Sequence, residues 1–417
     1  MCKPYRWKLT FSQKVTYFSN RSGFLLIECP QIQPNWDASP KLAAESTEKT
    51  CLRAGFSEFM KIDHIHFYVE NARASRDWFV SHLGFQAVGA KVTCFDTCTK
   101  VVKSGPVYFV LSSPLTPLSP VAQFLSQHPS GVADIAFCVQ DLEAVMTRAS
   151  AHGVKVLQSI QQHQQGKECL KWGKIAAWGS LTHTLIERSC DGESRGEGEM
   201  GRGNAEIPLP SLISTFSGID HIVLNVASGD LEHAVAWYKN ALDFHAQQTF
   251  KIQTKHSALY SQVMVSRSGG VQLAINESAS PNSQIQEFLD VNRGPGIQHI
   301  ALKTPNIVQA IAQLRSDGLS LLSVPSTYYT QLQQRHGLPL SATQLQEIAQ
   351  QQILVDWEET TPQALLLQTF TQPIFGQPTF FFELIERRFQ ASGFGEGNFR
   401  ALFEAIEREQ IKRGSLK

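Results

Sequence analysis

No stretch of the chain approaches the roughly 18–20 consecutive apolar residues that a membrane-spanning helix requires, so no membrane partner is expected. The opening residues carry basic side chains but no sustained apolar core, which argues against a secretory signal. An excess of charge of one sign is also missing: 37 basic residues balance 37 acidic ones. Such a chain offers no electrostatic footprint for nucleic acid or an anionic membrane, and a buried small-molecule site suits it better. Cysteine is sparse and unpatterned. None of the 8 lies beyond Cys190, and their spacing shows no disulfide framework. Cys94 and Cys98 lack the second pair that a zinc site needs. Free thiols in a reducing compartment are expected, and together with the missing signal they point to the cytoplasm.

What is present is the composition of an ordinary globular protein, 42% hydrophobic and 18% charged, over 417 residues that allow two or three domains. Residues 1–59 hold turn formers such as Pro30, Pro34 and Pro40 and no clean period. They read as an irregular extension outside the core, of the kind a mis-assigned upstream start adds. Regular patterning begins at Met60 and runs to 188. Residues 189–211 are rich in Gly, Ser and charge, as a solvated linker is. Order resumes over 212–417.

The two ordered stretches repeat each other. IDHIH at 62–66 matches IDHIV at 219–223, and each leads into a helical period, ASRDWFVSHLGF and LEHAVAWYKNALDF. GVADIA at 131–136 matches GIQHIA at 296–301, and each is followed by an amphipathic segment closed by glycine. THTLIERS at 182–189 matches FFELIERR at 381–388. Several strands follow each helix, which predicts an α+β fold of paired modules with curved sheets, not a doubly wound parallel sheet.

Aligned on the repeat, the first half offers His64, Asp134 and Thr184, whereas the second offers His221, His299 and Glu383. Two imidazoles and one carboxylate can occupy one face of an ion and leave positions open, the arrangement used by non-haem Fe(II) oxygenases. Strand alternation puts Val223 beside His221, Phe381 and Ile385 beside Glu383, and Leu366, Gln368 and Phe370 on one face. Apolar rings and an amide on ligand-bearing strands suit an aromatic substrate. The first half, with Thr184 at the third position, is expected to bind no metal. His245, His256 and His336 lie outside these strands and read as surface residues. Near the C-terminus, Gly393 to Gly397 read as a hinge and Asn398 as a helix N-cap. Phe399, Leu402, Phe403 and Ile406 then form an apolar stripe at helical spacing.

Five long segments carry a family resemblance: SQIQEFLDVNRGPGIQHIALKT (283–304), LSVPSTYYTQL (322–332), ILVDWEE (353–359), LLLQTFTQPIFGQPTFFFELIER (365–387) and GFGEGNFRALFEAIEREQ (393–410). With these, the chain from about Met60 to Gly414 resembles the 4-hydroxyphenylpyruvate dioxygenase family of the vicinal oxygen chelate superfamily. The resemblance implies two tandem domains of paired βαβββ modules, each an open barrel, and a C-terminal lid helix. It implies one Fe(II) per chain on His221, His299 and Glu383, with no organic cofactor. The implied partners are an aromatic 2-oxo acid and O2, and the implied assembly is a homodimer or homotetramer. The implied reaction is oxidative decarboxylation, ring hydroxylation and side-chain migration.

Carried over residue by residue, Phe370 and Phe399 resemble the rings that sandwich the substrate, with Phe381, Phe394, Val223 and Asn398 also in the substrate-binding set. Ser261, Asn276, Gln284, Gln298 and Gln368 resemble the polar residues that orient the oxo acid and the phenol. Amides and hydroxyls can do this without adding charge. One departure stands out: Ala274 precedes Ile275-Asn276-Glu277 where the family commonly has proline. It leaves a 4-hydroxymandelate synthase open as an alternative; a metal-free binding protein of the same fold is a separate and more remote one, against which the intact triad argues.

Overall fold

The computed structural model describes residues 15–20, 23–28, 59–89, 95–165, 168–190, 214–254, 258–281, 283–358 and 361–416. Within the N-terminal extension, β1 (Val15–Asn20) and β2 (Gly23–Glu28) pair as an antiparallel hairpin, so the expectation of an irregular 1–59 is corrected there. The cause is visible in retrospect. VTYF and FLLI are strand formers on both faces, and such runs have no alternation to detect. Other residues of the extension, and the linker from 191 to 211, lie outside the described residues.

The first half runs β3 (Met60–Tyr68), α1 (Ala72–Leu83), β4 (Gln86–Val88), β5 (Thr97–Ser104), β6 (Val107–Pro114), α2 (Pro120–Gln127), β7 (Gly131–Val139), α3 (Leu142–Ala151), β8 (Val156–Gln165), β9 (Glu168–Ala176) and β10 (Thr182–Cys190). The second runs β11 (Gly218–Val226), α4 (Leu231–Leu242), β12 (Phe244–Gln253), β13 (Ala258–Ser266), β14 (Gln272–Ser278), α5 (Gln284–Asn292), β15 (Gly296–Lys303), α6 (Ile307–Ser316), α7 (Ser326–Gln334), α8 (Ala342–Gln350), β16 (Leu354–Glu358), β17 (Thr361–Phe370), β18 (Phe381–Arg387) and α9 (Glu396–Arg413). Strand β10 carries the first half two residues past its expected end at 188.

The sheet orders are β4-β5-β6-β3-β7-β10-β9-β8 and β12-β13-β14-β11-β15-β18-β17-β16, the same eight-stranded arrangement twice. Local chemistry sets the repeated helices. Asn71, Asp141 and Asn306 accept backbone N–H groups at helix starts. Gly84 (φ 66°) and Asp243 (φ 55°) close α1 and α4 in the left-handed conformation at equivalent positions.

The two sheets pack against each other. Phe67 and Phe109 of the first sheet meet Phe380 and Phe382 at the start of β18; the Phe109 and Phe382 rings stack at 5.6 Å. Helices α3 and α4 also pack across the join. One continuous apolar cluster therefore spans both halves, and burial of this kind contributes roughly 1.5–3 kcal/mol per large side chain. For the site the consequence is direct. Phe382 and Leu384 point into this shared core, so Phe381 and Glu383 must face the other way, into the second barrel.

Candidate metal centre

The three strands that carry His221, His299 and Glu383 are consecutive neighbours, β11, β15 and β18. Register places His221 and Glu383 on either side of Ala301, and His299 one step along between Val223 and Phe381. Ala301 brings only a methyl between the two, which leaves room for the imidazole and the carboxylate to converge. Glu383 Oε2 lies 3.3 Å from His221 Nε2 and 3.6 Å from His299 Nε2. All three residues are buried, and their ligand atoms lie within 4.8 Å of one another, forming the one such cluster found among the described residues. Ligands at roughly 2.1 Å and right angles around one ion stand about 3 Å apart. The spacing therefore fits one ion held on one face, with its remaining positions toward the cavity.

The surroundings hold His221 and Glu383 in place. His221 Nδ1 lies 3.0 Å from Asp220 Oδ1 and donates to it, so a neutral imidazole here would offer Nε2 to an ion. Gln368 Nε2 donates to Glu383 Oε1 at 2.8 Å and to the Phe394 carbonyl at 3.0 Å. The electrostatics favour a cation. Burial pushes the His221 imidazole down, but the Glu383 and Asp220 carboxylates outweigh it and raise it to about 9. Burial, then the charge on His221, hold His299 well below its usual value. Burial opposes ionisation of Asp220, yet its bonds from Arg387 and His221 hold it far below the carboxylate range. A divalent ion on two neutral imidazoles meets the same field with one centre of charge.

The cluster opens onto a cavity of about 590 Å³, the open solvent at its mouth included. Of the residues expected from sequence, Val223, Ser261, Asn276, Gln284, Gln298, Gln368, Phe370, Phe381 and Phe394 all line it. The His299 and Phe381 rings stack at 4.8 Å, and Phe394 meets His221 edge-on at 4.9 Å. Asn398 stands behind this wall, donating to Gln368 Oε1 at 2.8 Å and accepting from Tyr328 at 3.0 Å. It is not the N-cap. Helix α9 starts earlier, capped by Gly395 at φ 78°, and Asn398 falls in its first turn. The side chain of Phe399 lies outside the described residues. Ile385 and Leu366 are buried in a separate cluster below the cavity. His245 and His336 are exposed as expected, although His245 lies on β12, and His256 lies outside the described residues.

The family models for the glyoxalase/bleomycin resistance protein/dioxygenase superfamily match residues 63–169 and 218–338, one in each half. Among curated proteins, the 4-hydroxyphenylpyruvate dioxygenase of Coccidioides posadasii is 36% identical, over 86% of this chain and 95% of its own length. The chain belongs to the 4-hydroxyphenylpyruvate dioxygenase family. Another relative so named, from Danio rerio, is 35% identical over 86% of this chain and 93% of its length. Among solved structures, a triple mutant of 4-hydroxymandelate synthase from Streptomyces coelicolor superposes with a TM-score of 0.70 at 27% identity, covering 84% of this chain and 98% of that one. This member of the dioxygenase family thus carries its His-His-Glu cluster in the second of two similar domains.

Several residues of the site escaped sequence reasoning. Asp220 and Arg387 flank ligand positions and could have been found, because the first half repeats them as Asp63 and Arg188 around His64. Phe250 and Leu259 complete the apolar wall and carry no signal beyond hydrophobicity. Asn225, fully buried on β11 with neither amide atom bonded, also went unnoticed.

Proposed function

We propose that this chain is an Fe(II)-dependent dioxygenase that converts 4-hydroxyphenylpyruvate and O2 to homogentisate and CO2. The observation that carries the reading is the His-His-Glu cluster set in the wall of an apolar, amide-studded cavity. No Lys or Arg is among the described residues lining that cavity. An anionic 2-oxo acid would therefore find its counter-charge at an ion held by His221, His299 and Glu383. Fe(II), when held by His221, His299 and Glu383, supplies the redox chemistry that couples O2 to decarboxylation.

The chain's own residues supply the rest. Phe370 and Phe381, whose rings meet at 6.2 Å, with Phe394 opposite, bound the space for an aromatic ring. Ser261, Asn276, Gln284 and Gln298 orient its polar ends by hydrogen bonds, and an orphaned Gln284 Oε1 is one acceptor open for such a bond. Gln368 steadies Glu383 and joins it to the start of α9. Leu402, Phe403 and Ile406 of α9 close the mouth with apolar surface and keep bulk water from the site. The reading extends to a cytoplasmic homo-oligomer; among the described residues, no helix is long and apolar enough to cross a membrane.

Ala274 lines the cavity beside Val223 and Val263 and keeps benzylic oxygenation as the second reading. Product analysis after adding Fe(II), ascorbate, O2 and 4-hydroxyphenylpyruvate separates the two. Homogentisate is expected. 4-Hydroxymandelate moves the chain to the synthase reaction, and no O2 uptake by iron-loaded protein rejects both.

A further inference from the structure

Arg387 makes two sets of bonds that face in opposite directions. Its Nε and Nη2 grip both oxygens of Asp220 at 2.8 and 2.7 Å, and Asp220 in turn holds His221. Its Nη1 donates to the carbonyls of Ala391 (3.1 Å) and Gly393 (2.8 Å), in the segment that leads into α9. That segment begins with Phe389 (φ 48°) and Gln390 (φ 56°), two successive side-chain-bearing residues in the left-handed region. Such a turn persists when surrounding bonds hold it. A planar guanidinium with donors on both edges can do so while staying locked on a carboxylate; an ammonium cannot.

The first half supplies an internal comparison. There Asp63 accepts from His64 Nδ1 at 2.8 Å and from Arg188 at 2.5 Å, the same three residue types at equivalent positions. The other two ligand positions are Asp134 and Thr184, and Lys174 Nζ stands 3.7 Å from Asp134. The Asp–His–Arg unit by itself is thus compatible with a purely structural role. In the second half Arg387 also bonds to the segment entering α9; the equivalent positions of the first half, 192 and 194, lie outside the described residues. A second tie runs in parallel, from Glu383 through Gln368 to the Phe394 carbonyl and Asn398.

We infer that Arg387 is a positioning residue that couples the metal centre to α9, so that ion binding and seating of the helix stabilise each other. Coupling of this kind is reciprocal: an ion that fixes His221 and Asp220 fixes Arg387, and a fixed Arg387 holds residues 391–393, which sets the start of α9 over the cavity. The inference rests on the metal-binding part of the function proposed above and not on its substrate.

Hydrogen exchange of the full chain, with and without Co(II) under anaerobic conditions, reads the coupling directly, and Co(II) affinity is measured alongside by chelator competition. In the unaltered protein, Co(II) should slow exchange in peptides covering 391–413 several-fold. Arg387→Lys keeps a positive charge for Asp220 but loses the fork. It should bind Co(II) roughly 10–100-fold more weakly, as loss of a ligand's supporting partner does, and at saturation should no longer protect 391–413. Lys303→Met removes the other cation near Asp220, 3.3 Å away, leaves the bonds from Arg387 to Ala391 and Gly393 in place, and should keep the protection. Unaltered exchange on adding Co(II) to the original protein overturns the inference without any variant. So does a folded Arg387→Lys that keeps both affinity and protection. Failure to bind Co(II) overturns it together with the metal centre, whereas a different product overturns only the substrate assignment.

Discussion

Gln298 and His299 are adjacent on β15, and strict alternation would send them to opposite faces, yet both line the cavity. The ladder explains it. Val223 faces His299 and Leu224 faces Ile297, so Gln298 is the extra residue of a bulge. A similar shift between Ile219 and His221 frees Asp220 to turn back onto the imidazole. The candidate ligands could be picked out from the repeat, because chemistry distinguishes His299 and Glu383 from Asp134 and Thr184. The bulges were not, since an inserted residue leaves no mark in a short alternating pattern. At this scale Glu383→Ala is the decisive substitution. The carboxylate is buried and shared by both histidines. Its loss should lower metal affinity by more than about 100-fold, beyond what loss of a supporting partner costs, and abolish turnover. Circular dichroism should stay unchanged while iron content falls. Normal turnover by folded, iron-replete Glu383→Ala would refute the ligand assignment.

Among the elements, α9 is the one whose sequence and placement say different things. Its apolar stripe announced a helix packed on something, but the glycines before it gave no indication of which were structural. The structure separates them. A Cβ on Gly393 (φ 75°) meets nothing within 4 Å, whereas one on Gly395 (φ 78°) would stand 2.1 Å from Gln368 Oε1. Gly393→Ala should therefore cost about 1 kcal/mol of backbone strain and leave turnover nearly intact. Gly395→Ala carries the same strain and also displaces the amide that holds Glu383, Phe394 and Asn398 together. A stability loss of about 1–3 kcal/mol and a larger fall in kcat than in Gly393→Ala are expected from thermal melts and steady-state kinetics. Equal behaviour of the two variants would remove the argument that Gln368 positions the start of the lid.

For the whole molecule, the join between the halves makes stability depend on pH. His183 is fully buried there, with Nδ1 donating to the Ile135 carbonyl and Nε2 3.2 Å from the Tyr238 hydroxyl of α4. Burial pulls its imidazole from 6.5 down to about 4. The unfolded chain takes up a proton below about 6.5 while the folded chain does not until about 4, so stability falls as pH is lowered through that window. For this group alone the loss is on the order of 3 kcal/mol. Denaturant titrations at pH 7 and pH 4.5 should show the drop, and His183→Gln should reduce it, while the buried His66, also pulled down by burial, keeps its own share. An unchanged slope in that variant would place the acid sensitivity elsewhere.

The repeat by itself determined the two-domain α+β plan and picked out the strands and residue types of the His-His-Glu cluster. Residue chemistry and spacing are local, and a duplicated pattern exposes what one copy has gained. Contacts between distant segments were decided by tertiary structure: the bulges that turn Asp220 and Gln298 inward, the Arg387 bridge to residues 391–393, and the Phe109–Phe382 stack that orients β18. Each depends on register and on which surfaces meet. Those are settled when curved sheets close and pack, by energies spread over many side chains that no single segment carries.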